Sequence, residues 1–343
     1  DKRRRRWMIW AFIGKIMKYR NLGRTGLKVS ELGFGCGSIG GLMVRGERKD
    51  QVRAVARAID SGINYFDTAR IYGDGKSETN LGAVLNELRP DVLVGTKVRL
   101  TAADMERMEE ATIESVEGSL RRLGQDCVDL IQLHNFVGVN RHLDRGWVGV
   151  DDLELIASTF QSLQEQGKVR FWGLNGLGET DALHQAIADV CPYTIQSCYN
   201  LINPTSGMKA PSGFPFQDYR QLIDVAADNQ VGVIAIRVLA AGALSGTTER
   251  HPVAAQSVSP IATGDNYQAD VERSKAFRFL IEDGYVSNLV EAAIRSAISK
   301  PEISTALVGT SSLEQLEQAV AYAEIGPLPP EALDRLNEVW GSG

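Results

Sequence analysis

The chain has 343 residues, of which 43% are hydrophobic, 23% charged and 7% aromatic, as expected of a globular protein with one large α/β domain or two smaller ones. The formal net charge is −6 although residues 2–6 are all basic, so the remainder is distinctly acidic and nucleic acid is disfavoured as the main partner. The four cysteines lack C-x-x-C spacing, which predicts neither a metal site nor a disulfide framework and favours reduced thiols in a cytoplasmic protein.

Residues 1–16 differ from the rest of the chain. They read DKRRRRWMIWAFIGKI, a basic run followed by a short apolar run. The apolar run is too short to span a bilayer, and no small-residue cleavage site follows it. We interpret this extension as a non-native remnant of upstream sequence, with an accessory membrane-surface tether as the alternative. Residues 17–343 are predicted to form a single domain.

The domain is predicted to begin with a hairpin, because GRTG separates the two short runs of YRNLGRTGLKV. β-branched runs then alternate with amphipathic stretches. The predicted strands are 29–35, 63–68, 91–97, 127–134, 169–174, 193–198, 232–239 and 303–309. The predicted helices are 50–61, 77–88, 102–123, 152–166, 180–189, 217–229, 287–299 and 312–324.

Eight such units predict an α/β fold, a (β/α)8 TIM barrel whose bottom is closed by the hairpin. An open, doubly wound sheet is the alternative, because periodicity does not show closure. The long connections at 204–216 and 242–270 are predicted to shape a substrate site.

The segment LGFGCGSIGG contains the spacing G-x-G-x-x-G at Gly35, Gly37 and Gly40. In a Rossmann turn a helix begins at the third glycine, and an acidic residue follows about 20 positions later. Here the first convincing helix begins near Asp50, and Asp67 lies 32 positions after Gly35. We therefore reject the motif as a Rossmann fingerprint and predict a flexible first βα loop over the mouth of the site.

Three consecutive predicted strands lead into reactive side chains. The second is followed by FDTARIYGDG, which contains Asp67 and Tyr72. The third ends at Lys97, and the fourth ends at His134. Each residue alone has an ordinary structural explanation, such as loop capping or core packing. Because the carboxyl ends of barrel strands meet at one face, the four together predict an active site.

These four residue types suit hydride transfer to a carbonyl carbon, which leaves an alkoxide that needs a proton. Tyr72 is the predicted acid, and a nearby Lys97 ammonium is expected to lower the pKa of its phenol. Asp67 is expected to anchor Lys97. A neutral His134 is expected to donate a hydrogen bond that orients the substrate oxygen.

The pattern D-T-A-x-x-Y-G, then a strand-end Lys and L-x-H, resembles the Asp-Tyr-Lys-His tetrad of the aldo-keto reductase family, completely matched here. The resemblance runs from about Lys18 to Tyr322 and includes LGRTGLKVSELGFG, GKVRFWGL, IQSCYN and ALVGTSSLEQLEQAV. It implies an NAD(P)(H)-dependent oxidoreductase that interconverts an aldehyde, ketone or sugar lactol with its alcohol or lactone. The aldose and sugar dehydrogenase-like branches are the nearest in pattern.

The resemblance also implies the cofactor contacts, with the nicotinamide beside Tyr72. The implied contacts are Asn175 and Gln196 for the carboxamide, Leu239, Ala241 and Gly242 for the pyrophosphate, and Gly309, Thr310, Ser311 and Gln315 for the adenosine end. The family favours NADP(H) over NAD(H). However, Gly309 and Gln315 stand where the Lys and Arg that hold the 2′-phosphate are common, so NAD(H) stays open.

A second function class is a nucleotide-sensing binding protein of the same fold without significant turnover, as in channel-associated members of the family. The complete tetrad argues against it, and only the basic, apolar extension favours it. The predicted partner is a small carbonyl or sugar substrate, with no stable membrane insertion and with the oligomeric state open.

Overall fold

The computed structural model describes residues 17–341, so the extension at residues 1–16 lies outside the described residues. Eight parallel strands form a closed barrel in chain order, and the eighth pairs with the first. They are β1 (Leu32–Gly35), β2 (Tyr65–Asp67), β3 (Leu93–Val98), β4 (Val128–Leu133), β5 (Val169–Gly176), β6 (Thr194–Cys198), β7 (Gly232–Ile236) and β8 (Ile303–Gly309). The predicted (β/α)8 barrel is confirmed, and the open sheet is excluded.

One helix of the outer layer follows each strand. These are α1 (Arg48–Asp60), α2 (Lys76–Leu88), α3 (Met108–Leu123), α4 (Leu153–Glu165), α5 (Thr180–Val190), α6 (Leu222–Asp228), α7 (Leu289–Ser299) and α8 (Leu313–Ile325). Their apolar faces cover the sheet, as Val116 and Leu120 of α3 illustrate by their burial. Within residues 17–341, no helix combines the length and the apolarity needed to cross a bilayer.

The predicted hairpin is present and closes the bottom of the barrel. Its strands, Tyr19–Asn21 and Lys28–Ser30, pair in antiparallel register. The backbone N–H of Arg24 donates to the carbonyl of Gln230 at 2.9 Å, which ties the turn to the residues that precede β7. Leu22 packs in one apolar cluster with side chains from the barrel interior. The hairpin therefore forms the floor of the barrel and keeps water away from its lower half.

Tyr65 belongs to the same buried cluster as Leu22. It is 1% exposed and packs with Leu22 and Leu130. Gly95 of β3 lies directly beside it, and a Cβ at position 95 would overlap the Tyr65 hydroxyl. The close approach of a strand to this ring therefore requires glycine at position 95.

Several elements are shorter than the sequence predicts, among them α3, α6 and β7. The α3 helix begins at Met108 and not at 102, because Thr101 and Asp104 cap a separate 3-10 turn. The α6 helix begins at Leu222 and not at 217, because the two preceding residues, 220 and 221, are left-handed. The β7 strand ends at Ile236, because Arg237 has a φ of 58°.

Several elements were not predicted from the sequence. Val137–Gly138 and Val148–Gly149 pair as a short two-stranded sheet beside the fourth strand's loop. The additional helices are Leu42–Arg45, Tyr267–Ser274, Phe279–Glu282 and Pro330–Gly341. They lie mostly in the long connections and at the C-terminus, where short apolar runs carry little periodic signal.

Candidate active site

The strand ends bring the predicted tetrad together at one face of the barrel. Asp67 is the last residue of β2, and Lys97 lies in the neighbouring β3. Lys97 is 1% exposed; its Nζ donates to Asp67 Oδ1 and, at 2.7 Å, to the carbonyl of Thr68. A buried ammonium is stable only when it is paired and hydrogen-bonded in this way. Asp67 and the carbonyl of Thr68 therefore hold the Lys97 ammonium in place.

The second oxygen of Asp67 accepts two further hydrogen bonds. Gln196 Nε2 donates to Oδ2 at 2.7 Å, and the Tyr65 hydroxyl donates to the same atom at 3.2 Å. Tyr65 was missed by the sequence analysis. The available signal is its spacing, since residues 65 and 67 are two positions apart on one strand and therefore share a face. Three donors thus converge on one buried carboxylate.

Tyr72 lies in the loop after β2 and faces the other tetrad members. Its ring centroid is 5.0 Å from Lys97 Nζ and 5.7 Å from the imidazole of His134, which it meets edge-on. Burial raises the pKa of Tyr72 above its ordinary value, while Lys97 favours the phenolate and opposes this shift. The predicted effect of Lys97 is present, but burial outweighs it. The net direction of the Tyr72 pKa shift is therefore upward, whereas the sequence analysis expects Lys97 to lower this pKa.

Lys97 and His134 have opposite protonation tendencies. Burial lowers the pKa of Lys97. Asp67 and Tyr72 raise this pKa by more than burial lowers it, so the side chain stays an ammonium. The pKa of His134 is well below its ordinary value because of burial and the neighbouring Lys97 and Arg99 cations. The imidazole is therefore neutral near pH 7, as the proposed orienting role requires.

The side chains predicted for the carboxamide lie next to the tetrad. Asn175 Nδ2 donates to the carbonyl of His134 at 3.2 Å, and Gln196 donates to Asp67. Within the described residues their side-chain oxygens accept no hydrogen bond, and neither oxygen is among the fully buried unpartnered atoms. Both oxygens can therefore accept from a carboxamide NH2, so the residues present fit a nicotinamide.

The turn predicted for the pyrophosphate is left-handed. Leu239 precedes it, Ala241 has a φ of 59°, and Gly242 has a φ of 106°. Arg250 Nη1 donates to the carbonyl of Ala241 at 2.9 Å and holds the turn from the long following loop. Within the turn, the backbone N–H of Ala240 donates to the carbonyl of Arg237 at 2.7 Å, and that of Gly242 donates to the carbonyl of Leu239 at 2.8 Å.

The residues predicted for the adenosine end lie where β8 leads into α8. Thr310 and Ser311 are buried, while Gly309 is exposed. Gln315 Oε1 accepts the backbone N–H of Ser311 at 2.8 Å, so its side chain supports the loop. The first loop packs on the same segment: Ser311 Oγ donates to the carbonyl of Gly40 at 2.6 Å.

The glycine-rich segment has no Rossmann geometry. Gly40 lies against the backbone of Thr310, where a Cβ would come within 2.7 Å of two backbone atoms. A short helix, Leu42–Arg45, follows, and the first long helix begins only at Arg48. Gly35 and Gly40 thus permit close backbone packing against β8, and their loop is held there.

Comparisons with known proteins agree with this architecture. The family model described as "Aldo/keto reductase family" matches residues 31–341. The chain is 30% identical to L-galactose dehydrogenase of Arabidopsis thaliana, over 89% of this chain and 88% of that protein. It is 24% identical to a probable voltage-gated potassium channel subunit beta of the same plant, over 94% of this chain and 96% of that protein. The solved structure of an aldo-keto reductase from Bacillus halodurans shares the fold, with a TM-score of 0.67 and 24% identity. The match covers 94% of this chain and 96% of that one.

Proposed function

Because the chain belongs to the aldo/keto reductase family, we propose that it interconverts a carbonyl or sugar lactol with its alcohol or lactone, with Tyr72 as general acid/base. The observation that carries this proposal is the buried Asp67–Lys97 pair beside the Tyr72 ring. An ion pair that served only to stabilise the fold would need neither an adjacent phenol nor a neutral imidazole. Together these groups can deliver a proton to an oxygen that gains negative charge.

Each residue has a distinct role in the proposed mechanism. His134 donates a hydrogen bond to the substrate oxygen and places it beside Tyr72. In reduction the Tyr72 hydroxyl gives its proton to the developing alkoxide, and in oxidation the phenolate removes it. Lys97 stabilises the phenolate, and Asp67 keeps Lys97 in position. A bound nicotinamide supplies or accepts the hydride.

NADP(H) is the proposed cofactor on family grounds, with NAD(H) as the alternative. Gln315 supports the loop through Ser311, and Gly309 has no side chain, so neither provides a cation for a 2′-phosphate. Asn175 and Gln196 are proposed to hold the carboxamide, and the turn ending at Gly242 is proposed to receive the pyrophosphate.

A sugar lactol is the favoured substrate class. The relative named L-galactose dehydrogenase supports an oxidative reaction on a sugar.

The four cysteines are free thiols, which supports the proposed cytoplasmic location. Nucleotide sensing without turnover is the second candidate, favoured by the relatives named as potassium channel beta subunits.

The test is a pair of fluorescence titrations with NADPH and NADH, followed by turnover assays with aldoses and small aldehydes. Nucleotide binding with turnover that is lost in Tyr72→Phe would support the enzyme. Nucleotide binding without turnover of any carbonyl or sugar would favour the sensor. Failure to bind either nucleotide would overturn both functions. The matched control is Tyr19→Phe, because Tyr19 is an exposed residue of the floor hairpin.

A further inference from the structure

Two arginines stand at the same barrel face as the tetrad and have no assigned role. Arg99 follows β3, two positions after Lys97, and Arg237 follows β7. Both are partly buried. Because they follow strands of one parallel barrel, their side chains start from the end where the tetrad lies.

Neither guanidinium has a carboxylate partner among residues 17–341. Arg237 makes one side-chain hydrogen bond, from Nη1 to the carbonyl of Ser259 at 3.1 Å, and Arg99 makes none. Arg122 and Arg295 are paired with the carboxylates of Glu78 and Glu291. Arg250 also lacks a carboxylate partner, but it donates two hydrogen bonds, to the carbonyls of Ala241 and Ala255. A guanidinium has five N–H donors, and withdrawing one from water without a counter-charge is unfavourable.

The backbone at position 237 is also unusual. Arg237 has a φ of 58°, and its carbonyl accepts a hydrogen bond from Asn200 Nδ2 at 3.1 Å. A long side chain in the left-handed region carries strain, which persists where the surroundings fix it and is concentrated at functional sites. Here the strain turns the chain out of β7 immediately before the turn at Ala241 and Gly242.

Both arginines act electrostatically on catalytic side chains. Arg237 favours the phenolate of Tyr72, and Arg99 contributes to the low pKa of His134. The pKa of Arg237 is lowered because burial withdraws part of the guanidinium from water. Asp270 also faces Arg237, but it is not within ion-pair distance and instead accepts from Thr263 and Gly264. Asp67 is already occupied by Lys97.

We propose that Arg237 binds a carboxylate of the substrate, while Arg99 adds positive charge from the opposite side of the barrel mouth, so that the substrate is an aldehyde acid or a sugar acid. This inference rests on the proposed function, because it concerns the same cleft. An otherwise acidic chain that places two unpaired guanidinium groups beside its catalytic residues concentrates anionic molecules there. A carboxylate would receive parallel N–H donors from Arg237 and would neutralise the charge that the protein leaves unpaired.

The test compares two aldehydes that differ in charge but little in shape: 4-carboxybenzaldehyde and methyl 4-formylbenzoate. The measured quantity is the ratio of kcat/KM for the acid to kcat/KM for the ester. In Arg237→Met this ratio is expected to fall about tenfold or more, and Arg237→Lys is expected to restore part of it. Arg99→Met is expected to lower it less. The matched control is Arg57→Met, because Arg57 is exposed and paired with Glu317, and its ratio is expected to stay unchanged.

A second readout separates this inference from the proposed function. Titration calorimetry measures binding of 4-(hydroxymethyl)benzoate and of its methyl ester to the protein saturated with its preferred nucleotide, or to the free protein if no nucleotide binds. Binding of the acid that is lost in Arg237→Met would support the inference even if the protein turns over neither aldehyde. An unchanged acid-to-ester ratio with unchanged binding of the acid would overturn it. A loss of NADPH or NADH affinity in Arg237→Met, with the acid-to-ester ratio unchanged, would also overturn it and assign the guanidinium to the cofactor diphosphate.

Discussion

The buried pair of Asp67 and Lys97 can be tested by a double-mutant cycle for stability. The variants are Asp67→Asn, Lys97→Met and the double variant. The side chains are 6% and 0% exposed, respectively, so water cannot replace a lost partner. Met has nearly the length of Lys without its charge, and Asn has nearly the shape of Asp.

The magnitudes follow from what each change leaves behind. Lys97→Met leaves a buried carboxylate that keeps the two donors from Gln196 and Tyr65. Asp67→Asn leaves a buried ammonium whose remaining partner is the carbonyl of Thr68. Removing one partner of a buried pair costs about 3–5 kcal/mol of unfolding free energy. The double variant contains neither buried charge, so its loss is expected to fall short of the sum of the single losses by about 2–3 kcal/mol.

Urea denaturation followed by circular dichroism at pH 7.5 measures the four free energies of unfolding. The exposed pair of Arg57 and Glu317 provides a matched control cycle, expected to give a coupling of about 0.2–1 kcal/mol. Additive losses at Asp67 and Lys97, within about 0.5 kcal/mol, would refute the reasoning, because independent sites add in that way.

Four further predictions concern single side chains. Tyr72→Phe is expected to lower kcat about 10²–10⁴-fold while fluorescence titration shows nucleotide binding retained; unchanged turnover would exclude the phenol as the acid. Because the folded-state pKa of His134 is depressed, its contribution to stability is present above the unfolded pKa near 6.5 and lost as the pH falls towards the folded value. Between pH 6 and 5, the free energy of unfolding of the wild-type protein is therefore expected to fall by about 1.4 kcal/mol per pH unit more than that of His134→Gln. Urea denaturation measures both free energies, and equal losses would contradict the lowered pKa of His134. Tyr65→Phe removes a donor to a buried carboxylate and is expected to cost about 1.5–3 kcal/mol of stability, whereas a neutral result would show that the 3.2 Å contact contributes little. Gly95→Ala is expected to lower stability by about 1–3 kcal/mol through its overlap with Tyr65, and thermal unfolding at an unchanged temperature would contradict it.

The sequence predicted the barrel and the tetrad because both depend on local pattern and on one topological rule. Alternating units predict parallel strands, and parallel strands bring Asp67, Lys97 and His134 to one face. The same reasoning missed Tyr65, because an aromatic residue in an apolar strand is typical of a core. Nothing in the sequence identifies the left-handed conformation of Arg237, since it occurs without glycine.

The direction of the Tyr72 pKa shift could not be predicted for a related reason. The sign of the shift depends on two opposing effects. Burial of the phenol by the loops raises its pKa, and the nearby Lys97 ammonium lowers it. Loop packing is set by contacts far apart in the chain, such as the hydrogen bond from Ser311 to Gly40. Composition and periodicity contain no information on such contacts.

The contact between Tyr65 and Gly95 restricts how this barrel can change over evolution. Any residue other than glycine at position 95 adds a Cβ that overlaps the Tyr65 hydroxyl. Such a change is favoured once the hydroxyl at position 65 has been lost, because the ring atoms that remain lie 3.1 Å or more from that Cβ. That loss would remove one donor from Asp67. Positions 65 and 95 are therefore expected to vary together among descendants of this chain, with the loss of the hydroxyl at position 65 coming first.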